Sequence, residues 1–391
     1  MTKISDKLSI LKAMAGEGNF YSYKLLKKRK IMFLFLKYLI TSFSYFWGKQ
    51  NISDKTVVAY AKGINQLRHH RFTRKMREER VGDVDLYTDK PVYGANRLPR
   101  ISIRYLFKHI FILIVFLFSR KKKYLNLYYL SFYEAINDVV IRGLQGVRVF
   151  ICYNDQPYDV AAIVHNLNKK GFCKTVVVQH GLIVSQEFYF PTIAQEFWAW
   201  GELSREHFAS RLSDGKLIVV GRYAEDKNVM RCFYDKGDND NGPLKILVAV
   251  SYDYYQFYHV MVYIFTYIIK INHREVICSV KLHPATKLKF LYRLFLLIYK
   301  KRLNEEVGLI EDVVNDYDVL ISVCSSSLID FILRGKPVFT VGMKDRSSEY
   351  CSKIECCLDI RLLEEYIKNG NNAKFMDYNK YKRFLGSAIN V

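Results

Sequence analysis

The feature that most constrains this chain is a recurrence. Short, uninterrupted runs of strand-forming residues, each closing on a polar or turn residue, alternate with stretches of helical spacing. VRVFICYND (147–155), TVVVQHG (175–181), EFWAWG (196–201) and LIVVG (217–221) are such runs, with YLNLYYL (124–130) ahead of them. YDVAAIVHNLNKKG (158–171) and LSREHFASRLSDG (203–215) have helical spacing and a glycine stop. Strands that are apolar at every position are buried on both faces, which a parallel sheet covered by helices provides.

The pattern breaks once and restarts. YDKGDNDNGP (234–243) has no apolar residue after Tyr234 and reads as a linker. Beyond it come KILVAVS (245–251), VICSVKLHP (276–284), VGLIED (307–312), DVLISVCSSS (318–327) and KPVFTVG (336–342). The expected fold class is α/β, with two Rossmann-like, doubly wound domains and a cleft between them. The expected boundaries are a basic, partly amphipathic segment at 1–50, a first domain at 51–233, the linker at 234–243 and a second domain at 244–391. A length of 391 residues is enough for two such cores.

Charge is informative once it is located. Residues 1–130 hold 27 Lys and Arg against 8 Asp and Glu, a net of +19 out of the chain's +22. A nearly neutral body therefore carries a strongly basic N-terminal third, which suggests a polyanionic partner. In residues 24–49 and 103–124 the basic clusters directly border apolar, aromatic runs. Neither run reaches the roughly 20 apolar residues of a spanning helix. Apolar faces edged by Lys, Arg and Trp suit helices lying in the plane of an anionic membrane surface. The competing reading of 103–124 is a core helix followed by a solvated basic turn. Nucleic acid is the other polyanion, but no helix-turn-helix, RNA-recognition or zinc pattern is present, and it is not expected as a partner. There is no secretory-signal pattern. The eight cysteines show neither CxxC nor metal-ligand spacing and fit buried thiols in a reducing compartment.

Three strand ends carry candidate chemistry. In TVVVQHG the strand delivers Gln179 and His180 to its carboxyl end, and Gly181 lets a ligand approach the backbone; a polar cap is the bland alternative. In VKLHPATKLKF (280–290), His283 and Pro284 occupy the equivalent place in the second half, and alternation puts Lys281 on the face of His283. In DVLISVCSSSLIDFILRGKPVFTVG (318–342), Ser325, Ser326 and Ser327 open a helix whose unpaired N–H groups suit a phosphate, with Asp330 about one turn on. Open α/β sheets bind ligands beyond such strand ends. Asp155, which closes VRVFICYND, is a further strand-end carboxylate.

QHG (179–181), WG (200–201), VG (220–221), KLHP (281–284) and SSSLIDFILRGKPV (325–338), in this order, resemble metal-independent GT-B glycosyltransferases of bacterial surface-polymer synthesis. The resemblance covers about residues 145–345. Its flavour is that of the capsule, O-antigen and teichoic-acid transferases, including polysialyltransferase-like and CDP-glycerol glycerophosphotransferase-like enzymes. It implies that the second half binds a nucleotide-activated sugar donor. Ser325–Ser327 would hold the phosphates, His283 and Lys281 the leaving phosphate, and Asp330 the ribose, with Pro284 and Gly221 beside the donor. His180 would be the general base, with Asp155 in reserve, and Gln179 and Gly181 would lie on the acceptor side. Where sialyltransferase-like members carry an acidic pair, this chain has Gln179 and His180, which points away from sialic acid.

The resemblance thus implies an inverting transferase, peripheral on the cytoplasmic face of the membrane, acting on a lipid-linked acceptor. No DxD-like carboxylate set follows a strand, so no catalytic metal and no cofactor are expected. A nucleotide-sugar 2-epimerase of the same fold and a basic nucleic-acid-binding protein are the alternatives. Product analysis without acceptor separates the first, and retention on anionic liposomes rather than DNA separates the second.

Overall fold

The computed structural model describes residues 56–61, 66–67, 70, 74–88, 103–119, 131, 133–138, 143–155, 158–181, 192–209, 212, 216–221, 243–250, 276–282, 289–298, 303–308, 310–322, 327–332, 334, 336–340, 358–369 and 383. The basic run 24–49 and nearly all of the linker lie outside them, as do His283, Pro284, Ser325 and Ser326. The chain divides into two compact units. The first comprises Met1–His180, Gln186–Trp200 and Phe208–Tyr223, and the second Gly181–Ser185, Gly201–His207 and Ala224–Val391.

The first unit is built on a six-stranded sheet in which every pair is parallel. Its strands are β1 (Val57–Ala61), β2 (Asp85–Thr88), β3 (Val149–Cys152), β4 (Lys174–Val178), β5 (Glu196–Ala199) and β6 (Leu217–Val219), in the order β2-β1-β3-β4-β5-β6. The helices between them are α1 (Arg74–Val81), α2 (Ile103–Ser119) and α3 (Tyr158–Lys170); α4 (Glu202–Ala209) follows β5 in the chain, but most of it belongs to the second unit.

Alternate residues of neighbouring strands form one core face. Val57, Ala59, Ala61, Ile151, Tyr153, Val176, Val178, Trp198 and Val220 pack together, and Val58, Tyr60, Phe150, Val177 and Phe197 are equally buried on the other face. Burial on both faces is what the all-apolar runs required. Arg80 of α1 stacks its guanidinium over Trp198, 5.7 Å from the ring centre.

The second unit holds another all-parallel six-stranded sheet. Its strands are β7 (Leu244–Val250), β8 (Val276–Leu282), β9 (Leu303–Glu306), β10 (Val319–Ser322), β11 (Val338–Thr340) and β12 (Leu358–Asp359). The helices are α5 (Lys289–Ile298), α6 (Ile310–Val313), α7 (Ser327–Ile332) and α8 (Leu363–Asn369). Read from its β9 edge, the order is β9-β8-β7-β10-β11-β12. Counted within the unit this is 3-2-1-4-5-6, the strand order of dinucleotide-binding sheets. The first unit follows the 2-1-3-4-5 order of the other common doubly wound sheet, with a sixth strand added.

The expected α/β class with two Rossmann-like sheets is therefore the observed one, and two local readings change. β1 and β2 lie well ahead of residue 125, where the sequence alternation becomes visible. The α1 segment RKMREERV hides them, because it offers no apolar stripe to mark a crossover helix. In the second unit the strand is LNEE, 303–306, and not VGLIED; Val307 is left exposed and Ile310–Val313 turn into helix. As the sheet's edge strand, β9 pairs only with β8, so it does not need an apolar sequence.

Candidate functional site

A doubly wound sheet opens a crevice at its carboxyl edge where the strand order reverses. In the first unit the reversal lies between β1 and β3, and β4 is the next strand. The carboxyl ends there supply Tyr153, Asp155, Gln179 and His180.

Strand alternation divides Gln179 from His180. Gln179 is fully buried; its amide donates to the Trp198 carbonyl at 3.0 Å, and its side-chain oxygen accepts from the Trp200 amide at 3.0 Å. It extends the β4–β5 ladder past the last strand residue. His180 continues the face of Val176 and Val178 and is half-buried. Burial lowers its pKa to about 4, and a hydrogen bond to the Tyr153 backbone works in the opposite direction. The imidazole is therefore neutral at physiological pH. The ring bonds to the Tyr153 backbone, and its Nδ1 is buried from solvent.

Tyr153 has a second role. Its hydroxyl accepts from Arg77 Nη1 at 2.7 Å and lies 2.9 Å from His70 Nδ1, and the two rings meet edge-on at 6.0 Å. Arg77 also donates through Nη2 to the His70 carbonyl at 2.8 Å and is only 1% exposed. Tyr153 thus joins a buried cation and a second histidine, through its hydroxyl, to the backbone that bonds His180. No sequence pattern marks Arg77 or His70, and Tyr153 is visible only as the residue after VFIC.

Asp155 is buried, and its Oδ2 gathers three donors. It accepts from the Thr192 hydroxyl at 2.7 Å, the Ile193 amide at 2.7 Å and the Ala194 amide at 3.2 Å. Burial holds its pKa above the ordinary carboxylate value, and these three donors offset that only in part. The carboxylate thereby ties the β3 end to the segment entering β5. Gly221, just after β6, is buried at φ +77°, a conformation that strongly favours glycine. Gly181 follows His180 and is half-buried.

In the second unit the reversal lies between β7 and β10. β10 ends at Ser322, fully buried, whose Oγ has no hydrogen-bond partner among the described residues. Ser327 begins α7 and is 6% exposed; Asp330, in the first turn, is 4% exposed. The α7 helix is therefore sunk into the unit on every described side chain.

Lys281 lies one strand away. It pairs in register with Glu306, and its Nζ donates to the Gly308 carbonyl. Burial raises the Glu306 pKa, but the Tyr317 hydroxyl at 2.7 Å, the Gly308 amide and Lys281 outweigh it and hold the carboxyl below its ordinary value. Lys281 thus belongs to a polar cluster at the β8–β9 edge. In the RGKPV run, Lys336 donates to the carbonyls of Val314 and Asn315, both at 2.9 Å, and to that of Tyr317. It closes the end of a short 3-10 turn, where carbonyls favour a cation.

Among the described residues, no group of three or more His, Cys, Asp or Glu side chains is placed to hold a metal ion. Likewise, no described helix is long and apolar enough to cross a membrane.

No family model and no curated protein matches the chain. Solved structures do. A UDP-GlcNAc 2-epimerase from Methanocaldococcus jannaschii, in complex with UDP-GlcNAc and UDP, matches with a TM-score of 0.51 and 14% identity, over 84% of this chain and 95% of that one. A glycosyltransferase from Rickettsia africae ESF-5 matches at 0.47 and 12%, over 86% and 96%. The wall teichoic acid polymerase TagF matches at 0.46 and 12%, over 92% and 93%. At 14% identity the first likeness establishes the fold and nothing finer, and at scores below 0.5 the other two add nothing to it. That fold is the two-unit α/β type the sequence motifs resemble.

Proposed function

We propose that this chain is an inverting, metal-independent glycosyltransferase that moves a sugar from a nucleotide-activated donor to a lipid-linked acceptor of surface-polysaccharide synthesis. The observation that carries the reading is the place of His180, at the carboxyl end of β4, one strand from the reversal of the first sheet, where burial keeps its imidazole neutral.

In this mechanism Nδ1 of His180, buried from solvent until the acceptor docks, takes the proton of an acceptor hydroxyl. The acceptor oxygen forms its bond to the anomeric carbon as the bond from that carbon to the donor phosphate breaks. The phosphate departs with the electron pair, and the anomeric centre inverts. General bases of this kind typically contribute about 10²–10⁴-fold. Asp155, with Oδ2 held by three donors, supports the β3 end and leaves the base role to His180.

The donor belongs to the second unit, at the reversal between β7 and β10. Ser322 brings a buried hydroxyl there, and Ser327 and Asp330 follow in α7; Ser325 and Ser326, outside the described residues, would join Ser327 in holding the phosphates. The 3-2-1-4-5-6 order supports a nucleotide at this edge. His283 would assist the leaving phosphate, with Pro284 holding its turn. Lys281 would do so only by giving up its bond to Gly308.

The basic N-terminal third would hold the enzyme to the inner face of an anionic membrane. In support of this, α2 exposes Phe107, Phe111, Ile114 and Phe118, one turn apart along a single face, with Lys108 exposed beside them.

A thermal-shift series with CMP, CDP, UDP and dTDP tests the donor assignment, since a ligand bound only by the folded state raises its melting point. At least one nucleotide is expected to raise it; no shift with any of them counts against the reading. The likeness to an epimerase complexed with UDP-GlcNAc and UDP favours one second reading, a nucleotide-sugar 2-epimerase. Incubating donor without acceptor separates the two, because only an epimerase converts the sugar alone.

A further inference from the structure

Helix α5, in the second unit, turns Leu296 inward at 7% exposure. Its opposite face is apolar yet uncovered: Phe290 is 77% exposed, Leu294 45%, Leu297 64% and Ile298 66%. Positions i, i+4, i+7 and i+8 of a helix fall on one side, so these four make a continuous stripe. Arg293 stands exposed at its border, where it reaches Glu305 at 3.7 Å. Isolated exposed leucines need no explanation, but four large apolar side chains in a row do.

The surrounding sequence indicates the occupant. Residues 285–302, ATKLKFLYRLFLLIYKKR, contain six Lys and Arg and no Asp or Glu. A protein partner of ordinary surface would not call for cations at both ends of an apolar stripe. An anionic bilayer does, since it takes apolar side chains into its acyl boundary and binds Lys and Arg at its headgroups. At ten residues α5 is about 15 Å long, half the thickness of a bilayer core, so it lies in the interface and does not cross it. The first unit repeats the design: residues 103–124, which contain the exposed stripe of α2, also hold six Lys and Arg and no acidic residue.

We infer that α5 is a membrane-docking face of the second unit, which inserts Phe290, Leu294, Leu297 and Ile298 into an anionic phospholipid surface. The inference deepens the membrane part of the proposed function and rests on it for the kind of occupant. It gives the donor unit a lipid contact of its own, separate from the basic N-terminal third.

Vesicle co-sedimentation of the full chain tests it, using phosphatidylcholine vesicles with and without phosphatidylglycerol. The proteins compared are wild type, Leu294→Glu/Leu297→Glu and Phe111→Glu/Phe118→Glu. Wild type is expected to bind the anionic vesicles, more weakly as salt rises, and the α5 variant at least tenfold more weakly than wild type. A Phe290→Trp protein is expected to show fluorescence quenching by brominated lipid beyond that of wild type. If the α5 variant binds like wild type, the Phe290→Trp protein shows no added quenching and only the α2 variant loses binding, α5 docking is overturned while the membrane reading stands. If wild type ignores anionic vesicles, the membrane reading itself fails. If sedimentation velocity shows a wild-type dimer that Leu294→Glu/Leu297→Glu dissolves without changing vesicle binding, a second copy of the chain is the occupant and the inference is overturned.

Discussion

The imidazole of His180 is hydrogen-bonded to the backbone of Tyr153, on the neighbouring strand end. β3 and β4 run parallel with Cys152 opposite Val177, so the two chains leave the sheet side by side. The same tyrosine grips Arg77 and His70 with its hydroxyl. One residue therefore links a buried cation to the ring we assign as the base, and each part of that link can be perturbed separately.

The first test is pH. With a pKa of about 4, His180 stays neutral through the range in which an ordinary histidine, at 6.5, takes up its proton. In the proposed transferase the acid limb of kcat/KM is expected to fall with an apparent pKa near 4, since this parameter reports the free enzyme. An inflection at 6.5 that His180→Gln abolishes would show an ordinary, solvated histidine.

Stability should follow the same group. The unfolded chain binds a proton at His180 between pH 6.5 and 4 that the folded chain refuses. The stabilisation associated with the neutral ring is thus fully present above pH 6.5 and is lost as pH falls toward 4. Urea melts of wild type and His180→Gln should therefore converge across that window as the solution is acidified, and a constant difference would contradict the burial.

Tyr153→Phe removes the hydroxyl from Arg77 and His70 but keeps the backbone group that holds His180. The expected cost is about 1–3 kcal/mol, that of leaving a buried polar partner without its bond. The pH dependence attached to His180 should survive. A shift of that dependence would mean that the hydroxyl, and not the backbone, sets the ring.

Asp155→Ala leaves the Thr192 hydroxyl and two amides without their acceptor. A loss of about 3 kcal/mol is expected in chemical denaturation, and Asp155→Asn, which retains an oxygen, should lose less. If Asp155→Asn keeps its fold while losing all turnover, Asp155 and not His180 is the base.

Gly221→Ala tests the backbone alone. At φ +77° an added Cβ strains the chain whatever space surrounds it, and a cost of about 1–2 kcal/mol is expected from thermal melts.

Much of this was legible in the sequence, for identifiable reasons. β3, β4, β5, β7 and β10 are short apolar runs because both of their faces are covered, and that burial leaves a plain mark. β9 leaves none, since the edge strand LNEE buries only Leu303 and reads as a turn. His180 was visible because a histidine and a glycine interrupt a run of valines. Arg77 was not, because its burial depends on β3, far along the chain, and a basic helix such as RKMREERV reads as fully solvated. The sequence likewise marked Asp155 and Lys281 as strand-end charges. Whether such a charge turns outward or is bonded inward, as Asp155 is to Ile193 and Lys281 to Gly308, is decided by tertiary packing.

The most direct measurement is donor turnover, followed as nucleotide release in the presence of lipid-linked acceptor, by wild type, His180→Ala and His283→Ala proteins of equal thermal stability. The account predicts that the His180→Ala protein is at least about a hundredfold slower than wild type, as removal of a general base requires, and that His283→Ala is also impaired. Turnover at the wild-type rate in both variants would contradict it.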